Sequence, residues 1–140
     1  LTHELGHVVH TNFFNARYKL RKSKFYDFTR PIYYSNRSLD FYSLSYLNHE
    51  RLKSSSLSLD FVSLYAMTNP FEDFAESFNM YMRYRDFFRQ QAKNSRVLKR
   101  KLTFFDRHFA NWSEFKLDTT TVRVSSLIRP YDSTLVYRKL

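Results

Sequence analysis

Apolar residues recur at helical spacing in three stretches of the chain, and the period disappears between them. Phe71, Phe74, Ala75, Phe78, Met82 and Phe88 form one stripe, with Asn69 suited to cap a helix and Pro70 to open it. This pattern predicts a helix over residues 69–91. Leu98, Leu102, Phe105 and Phe109 form a second stripe, with Arg96, Lys99, Arg100, Lys101 and Arg107 on the water side, and predict a helix over residues 94–109. Residues 1–12 carry Leu5, Val8 and Val9 and predict a third.

Residues 13–60 read differently. Phe13, Phe14, Tyr18, Phe25, Tyr26, Tyr33, Phe41, Tyr42 and Tyr46 are separated by Ser, Asn, Lys and Arg without a period of 2 or 3.6, and Pro31 after Arg30 interrupts any helix. So long a connector often covers an active site. Its aromatic content suits a cover for the core better still, and Ser54, Ser55 and Ser56 mark a turning point within it. Residues 110–140 contain two β-prone runs, around Val122 and Val136, separated by Pro130, and predict a hairpin or an irregular tail. The fold class expected is mainly α, in a single domain.

Composition narrows this picture. With 140 residues, 19% of them aromatic, the chain can bury one core. One glycine and three prolines exclude glycine-built phosphate loops, and the absence of cysteine excludes disulfides, thiolate metal sites and cysteine nucleophiles. The net charge of +10 would suit an acidic partner, but the basic residues are spread along the chain with no nucleic-acid motif among them, which argues against nucleic acid. No apolar run reaches the roughly 20 residues of a membrane span, and no signal peptide is recognisable. The chain opens immediately before its most informative residues, so we expect it to be the C-terminal part of a longer protein.

Those residues are His3, Glu4 and His7, an H-E-x-x-H pattern. On a helix, side chains four apart share a face, so both imidazoles can point at one ion, while Glu4, rotated off that face, can reach a water beside it. Gly6, disfavoured inside a helix, suggests close packing near the metal. Two histidines and a water leave a tetrahedral zinc one protein ligand short. The metzincin solution fails, because it needs glycine at position 10 and histidine at 13, where the chain has His10 and Phe13. His10 shares the face of His3 and His7 but stands roughly 10 Å along the axis from His3, so it reads as a flanking polar residue.

The helix opening at Pro70 offers the missing ligand. Glu72 is placed to bind, and Glu76, one turn on, can accept the outer N–H of a ligand imidazole. Three residues after Asn69, Glu72 also fits the carboxylate of a capping box.

The two segments together, H-E-L-G-H and Y-A-M-T-N-P-F-E-D-F-A-E-S-F, resemble the gluzincin metallopeptidases related to the catalytic lobe of anthrax lethal factor, and a group of bacterial zinc peptidases. The resemblance covers residues 1–10 and about 60–82. It implies a zincin-like catalytic domain that binds Zn2+ through His3, His7 and Glu72 and cleaves a protein or peptide substrate. Glu4 would be the general base and Tyr65 a donor to the oxyanion, with Glu76, and Asp73 beside it, supporting the ligands from behind. It further implies an extracellular or cell-envelope setting, and a small substrate-holding sheet before the first helix. That sheet is not in these residues, so the fold expected is a truncated α+β domain whose activity alone is in doubt. A non-catalytic zinc-binding helical module and a basic nucleic-acid-associated protein are the other readings.

Overall fold

The structure is a computed structural model and describes residues 1–14 and 21–110. It is mainly helical, with one small hairpin. Helix α1 (Thr2–Val8) widens into a single π-turn (Val9–Phe13), a form frequent at functional sites. Helix α1 lies against α3 (Pro70–Arg83), and Gly6 sets their separation. A Cβ at Gly6 would lie 2.7 Å from the Ala75 Cα and 3.2 Å from both its Cβ and its carbonyl oxygen. The nearest atom is backbone and cannot swing aside. Only glycine allows this approach.

Asn69 caps α3 as expected, its side-chain oxygen accepting from the N–H groups of Phe71 and Glu72 at 2.9 Å each. The helix does not run on to residue 91. It stops at Tyr84 (φ −136°, ψ 44°), and α4 (Arg85–Ala92) begins at once in a new direction. A straight continuation would put Arg85 on the stripe of Phe74, Phe78 and Tyr81 and turn Phe87 to the opposite side. With the break, Phe87 and Phe88 are both buried, while Arg85 stacks its guanidinium 4.0 Å from the Tyr81 ring.

Helix α5 (Arg96–Phe109) starts at Ser95, whose hydroxyl accepts from the Leu98 N–H at 3.0 Å. It supplies Phe104, Phe105 and Phe109 to an aromatic core shared with Phe74, Phe78 and Phe41, with ring centroids 5.0 to 6.4 Å apart. One residue of its expected water-facing side is misplaced. Lys101 is fully buried, its ammonium donating to Asp73 at 2.7 and 2.9 Å and to the Asp60 carbonyl at 2.7 Å, and lying 4.1 Å from the Phe61 ring. Position on a helix wheel cannot reveal a buried carboxylate on the neighbouring element.

The described part of the connector is folded. It forms strands β1 (Lys22–Asp27) and β2 (Arg30–Tyr33), paired antiparallel with an irregularity between Lys22 and Tyr26, then α2 (Ser38–Tyr42) and a short 3-10 turn, Ser58–Asp60, with a second, Tyr65–Met67, following before α3. Phe25, Leu39, Phe41, Tyr42 and Tyr46 turn inward, so it covers the core as its aromatics suggested. In β1 exposed and buried positions alternate over Lys22–Phe25, but one of the two buried residues is Ser23, so the alternation does not show in hydrophobicity. The hairpin expected in residues 110–140 lies outside the described residues.

Replacing Gly6 with alanine tests the packing. On an exposed helix the change stabilises by about 1 kcal/mol; here overpacking should outweigh that and destabilise by about 1–3 kcal/mol net. Urea denaturation reads the sign, and a stabilised variant would mean that the two helices stand further apart.

Candidate metal centre

The Gly6–Ala75 contact brings the first turn of α3 under the histidines of α1. His3 Nε2 and His7 Nε2 are 3.2 Å apart, and Glu72 Oε2 lies 3.1 Å from the first and 3.4 Å from the second. Among the described residues, these three are the set of His, Cys, Asp and Glu side chains that could hold a metal ion. A tetrahedral zinc with bonds of about 2.0–2.1 Å requires ligand atoms about 3.3–3.4 Å apart, close to the triangle observed. Glu72 Oε2 is buried and has no hydrogen-bond partner, although two ring nitrogens are near it. The residues present therefore fit a zinc ion, and Glu72 is turned to the histidines, not back to Asn69 as a capping box requires.

Each histidine has a partner behind it. Glu76, fully buried, places Oε1 2.8 Å from His3 Nδ1, so that nitrogen donates and Nε2 is left with a free lone pair. His7 Nδ1 faces His10 Nε2 at 3.3 Å, and His10 Nδ1 lies 2.6 Å from the Tyr42 hydroxyl. This pair was not found in the sequence. His10, read from the sequence as a flanking polar residue, is 3% exposed and stacked on Phe71 with the rings 12° from parallel. The i, i+3 spacing from His7 was the available signal; Tyr42, one of the chain's 11 tyrosines, gave none. A cavity of about 670 Å³ opens beside His10, between the π-turn and the hairpin, with Asp27, Arg30 and Asn36 on its wall.

The remaining expected residues separate. Tyr65 is 44% exposed with its ring centroid 5.9 Å from that of His3, at the edge of the cluster. Partial burial, then the charges of Glu72, Glu76 and Glu4, raise its pKa and keep the phenol protonated. Glu4 is exposed on the first turn of α1. Asp73 does not support the histidines. Its carboxylate faces α5, where it binds Lys101 and accepts from the Ser77 hydroxyl at 3.3 Å. One position along the helix from Glu72 is enough to turn it to another face.

The field here favours positive charge. With no metal bound, the neighbouring carboxylates of Glu72 and then Glu76 raise His3 to about 9 against the opposing effect of burial. Burial pushes Glu72 upward, but the two imidazoles beside it bring its value down to about 2. His10 is held neutral, lowered to about 3 chiefly by burial and then by the proximity of His7.

A family model described as "Putative zinc-binding metallo-peptidase" matches residues 1–130. No curated protein and no solved structure matches the chain.

These shifts predict the pH dependence of the chain stripped of zinc. The His3 contribution is complete below its unfolded value of 6.5 and is lost as pH rises towards 9. The Glu72 contribution is complete above 4.5 and is lost as pH falls towards 2, while neutral His10 destabilises the fold as pH falls from 6.5 towards 3. The melting temperature in the presence of chelator should therefore peak near pH 6.5 and decline on both sides. A midpoint that climbs steadily from pH 6.5 to 9 would contradict the placement of His3 between two carboxylates.

Proposed function

The chain belongs to the family of zinc-binding metallopeptidases whose model spans residues 1–130, and from that premise we propose that it is a gluzincin-type endopeptidase. His3, His7 and Glu72 are its zinc ligands in this reading. The convergence of His3 Nε2, His7 Nε2 and Glu72 Oε2 within 3.1 to 3.4 Å carries the reading.

Zinc bound there would supply a Lewis acid that polarises the scissile carbonyl and lowers the pKa of a water. The chain's own residues do the rest. Glu76 holds His3 in the tautomer that leaves Nε2 free, and by accepting from Nδ1 it raises the basicity of that ring. Glu4, exposed on the first turn of α1, accepts a proton from the attacking water and delivers it to the leaving amine. Tyr65 retains its proton beside three carboxylates and so can donate a hydrogen bond to the oxyanion of the tetrahedral species. The partial exposure of Tyr65 and the exposure of Glu4 leave the substrate side of the cluster open to an extended peptide.

Glu4→Gln should bind one equivalent of zinc as the parent does and lose about 10²–10⁴-fold in kcat/KM on a quenched-fluorescence peptide library. Tyr65→Phe should keep KM and lose about 10²–10³-fold in kcat, the usual effect of removing one oxyanion donor. A parent chain that binds zinc yet cleaves no member of the library would leave a zinc-binding module in place of a peptidase.

A further inference from the structure

We propose that His10 and Tyr42 form a hydrogen-bonded chain behind His7 that selects its metal-binding tautomer, as Glu76 does for His3. The inference rests on the zinc reading above and extends it to two positioning residues on different elements.

A neutral imidazole has one N–H. If His7 binds through Nε2, the atom that faces His3 and Glu72, its proton sits on Nδ1, and Nδ1 must donate. The atom opposite is His10 Nε2 at 3.3 Å, so His10 must accept there and hold its own proton on Nδ1. That proton faces the Tyr42 oxygen at 2.6 Å, which must accept in turn.

The opposite arrangement is equally allowed by distance. Tyr42 would donate to His10 Nδ1, and His10 Nε2 would donate to His7 Nδ1. The His7 proton would then sit on Nε2 and close the lone pair that a metal needs. The three groups therefore have two states, and only one of them can bind.

His10 is 3% exposed and Tyr42 fully buried, both packed against Phe71 and Phe74. The Ser38 hydroxyl donates to the His10 carbonyl at 3.0 Å, which ties the π-turn to α2 and holds both rings in register.

The direct test is ¹⁵N-imidazole NMR on the zinc-loaded chain. We expect protons on Nδ1 of both His7 and His10, with His10 Nε2 unprotonated. His10→Phe and Tyr42→Phe should weaken zinc about 10–100-fold and several-fold, respectively, in competition with a chromophoric chelator, with His10→Gln restoring part of the loss through its amide oxygen. Circular dichroism in excess chelator checks that each variant is folded. A His10 Nε2 proton in the zinc-loaded parent overturns the proposal whether or not the variants fold, and so does a folded His10→Phe that binds zinc as tightly as the parent. If zinc shifts neither the His3 nor the His7 resonances, the metal reading itself falls and takes this proposal with it.

Discussion

The distance between two helices governs everything at the centre of this protein. Gly6 meets the Ala75 backbone so closely that no side-chain atom fits between α1 and α3. With that approach, side chains of moderate length from the two helices meet at one point: two imidazoles from above, a carboxylate from the next helix. Move the helices apart by the thickness of a methyl group and the Glu72 oxygen no longer completes the triangle. The glycine's cost in helix propensity, about 1 kcal/mol, is offset by the packing it permits.

Helix α3 divides its charges between two faces. Glu72 and Glu76 look towards the histidines, where a cation belongs. Asp73 and Ser77 look towards α5, where Lys101 is buried between the Asp73 carboxylate and the Asp60 carbonyl. Asp60 is itself held by the Ser95 hydroxyl at 2.6 Å and the Leu57 N–H at 2.9 Å, so the cap of α5 and the turn before α3 share one buried network. This network ties α3 to α5 on the side away from the histidines. Removing either member of a buried ion pair leaves an uncompensated charge, commonly at a cost of about 3–5 kcal/mol, which gives α3 little freedom to rotate its metal-facing side away.

The connector joins the core to the site. Its aromatics roof the helices, and Tyr42 of α2 reaches under the roof to His10. A segment without visible period thus contributes to both the core and the surroundings of His7. The alternation in β1 is hidden because one of its buried positions is Ser23, and α2 spans only Ser38–Tyr42, too short to show a helical repeat. Local pattern was lost there for local reasons.

Much of the rest was legible because its signals are local. The cap at Asn69 and Pro70, the pairing of His3 with His7 on one face, the placement of Glu72 and Glu76, and the small-residue requirement at Gly6 follow from helix geometry within a few residues. What the helix wheel could not decide was what lies opposite each face. Lys101 reads as solvated until Asp73 is placed against it, His10 as a flanking residue until Tyr42 is found behind it, and residues 69–91 as one helix until α5 asks for both Phe87 and Phe88. Periodicity reports which residues share a side; burial and pairing depend on elements tens of residues away. Helix geometry within a few residues placed His3 with His7 and Glu72 with Glu76, and only the tertiary contact of α1 with α3 brought the two pairs together, because a side chain's partner on another element leaves no local mark.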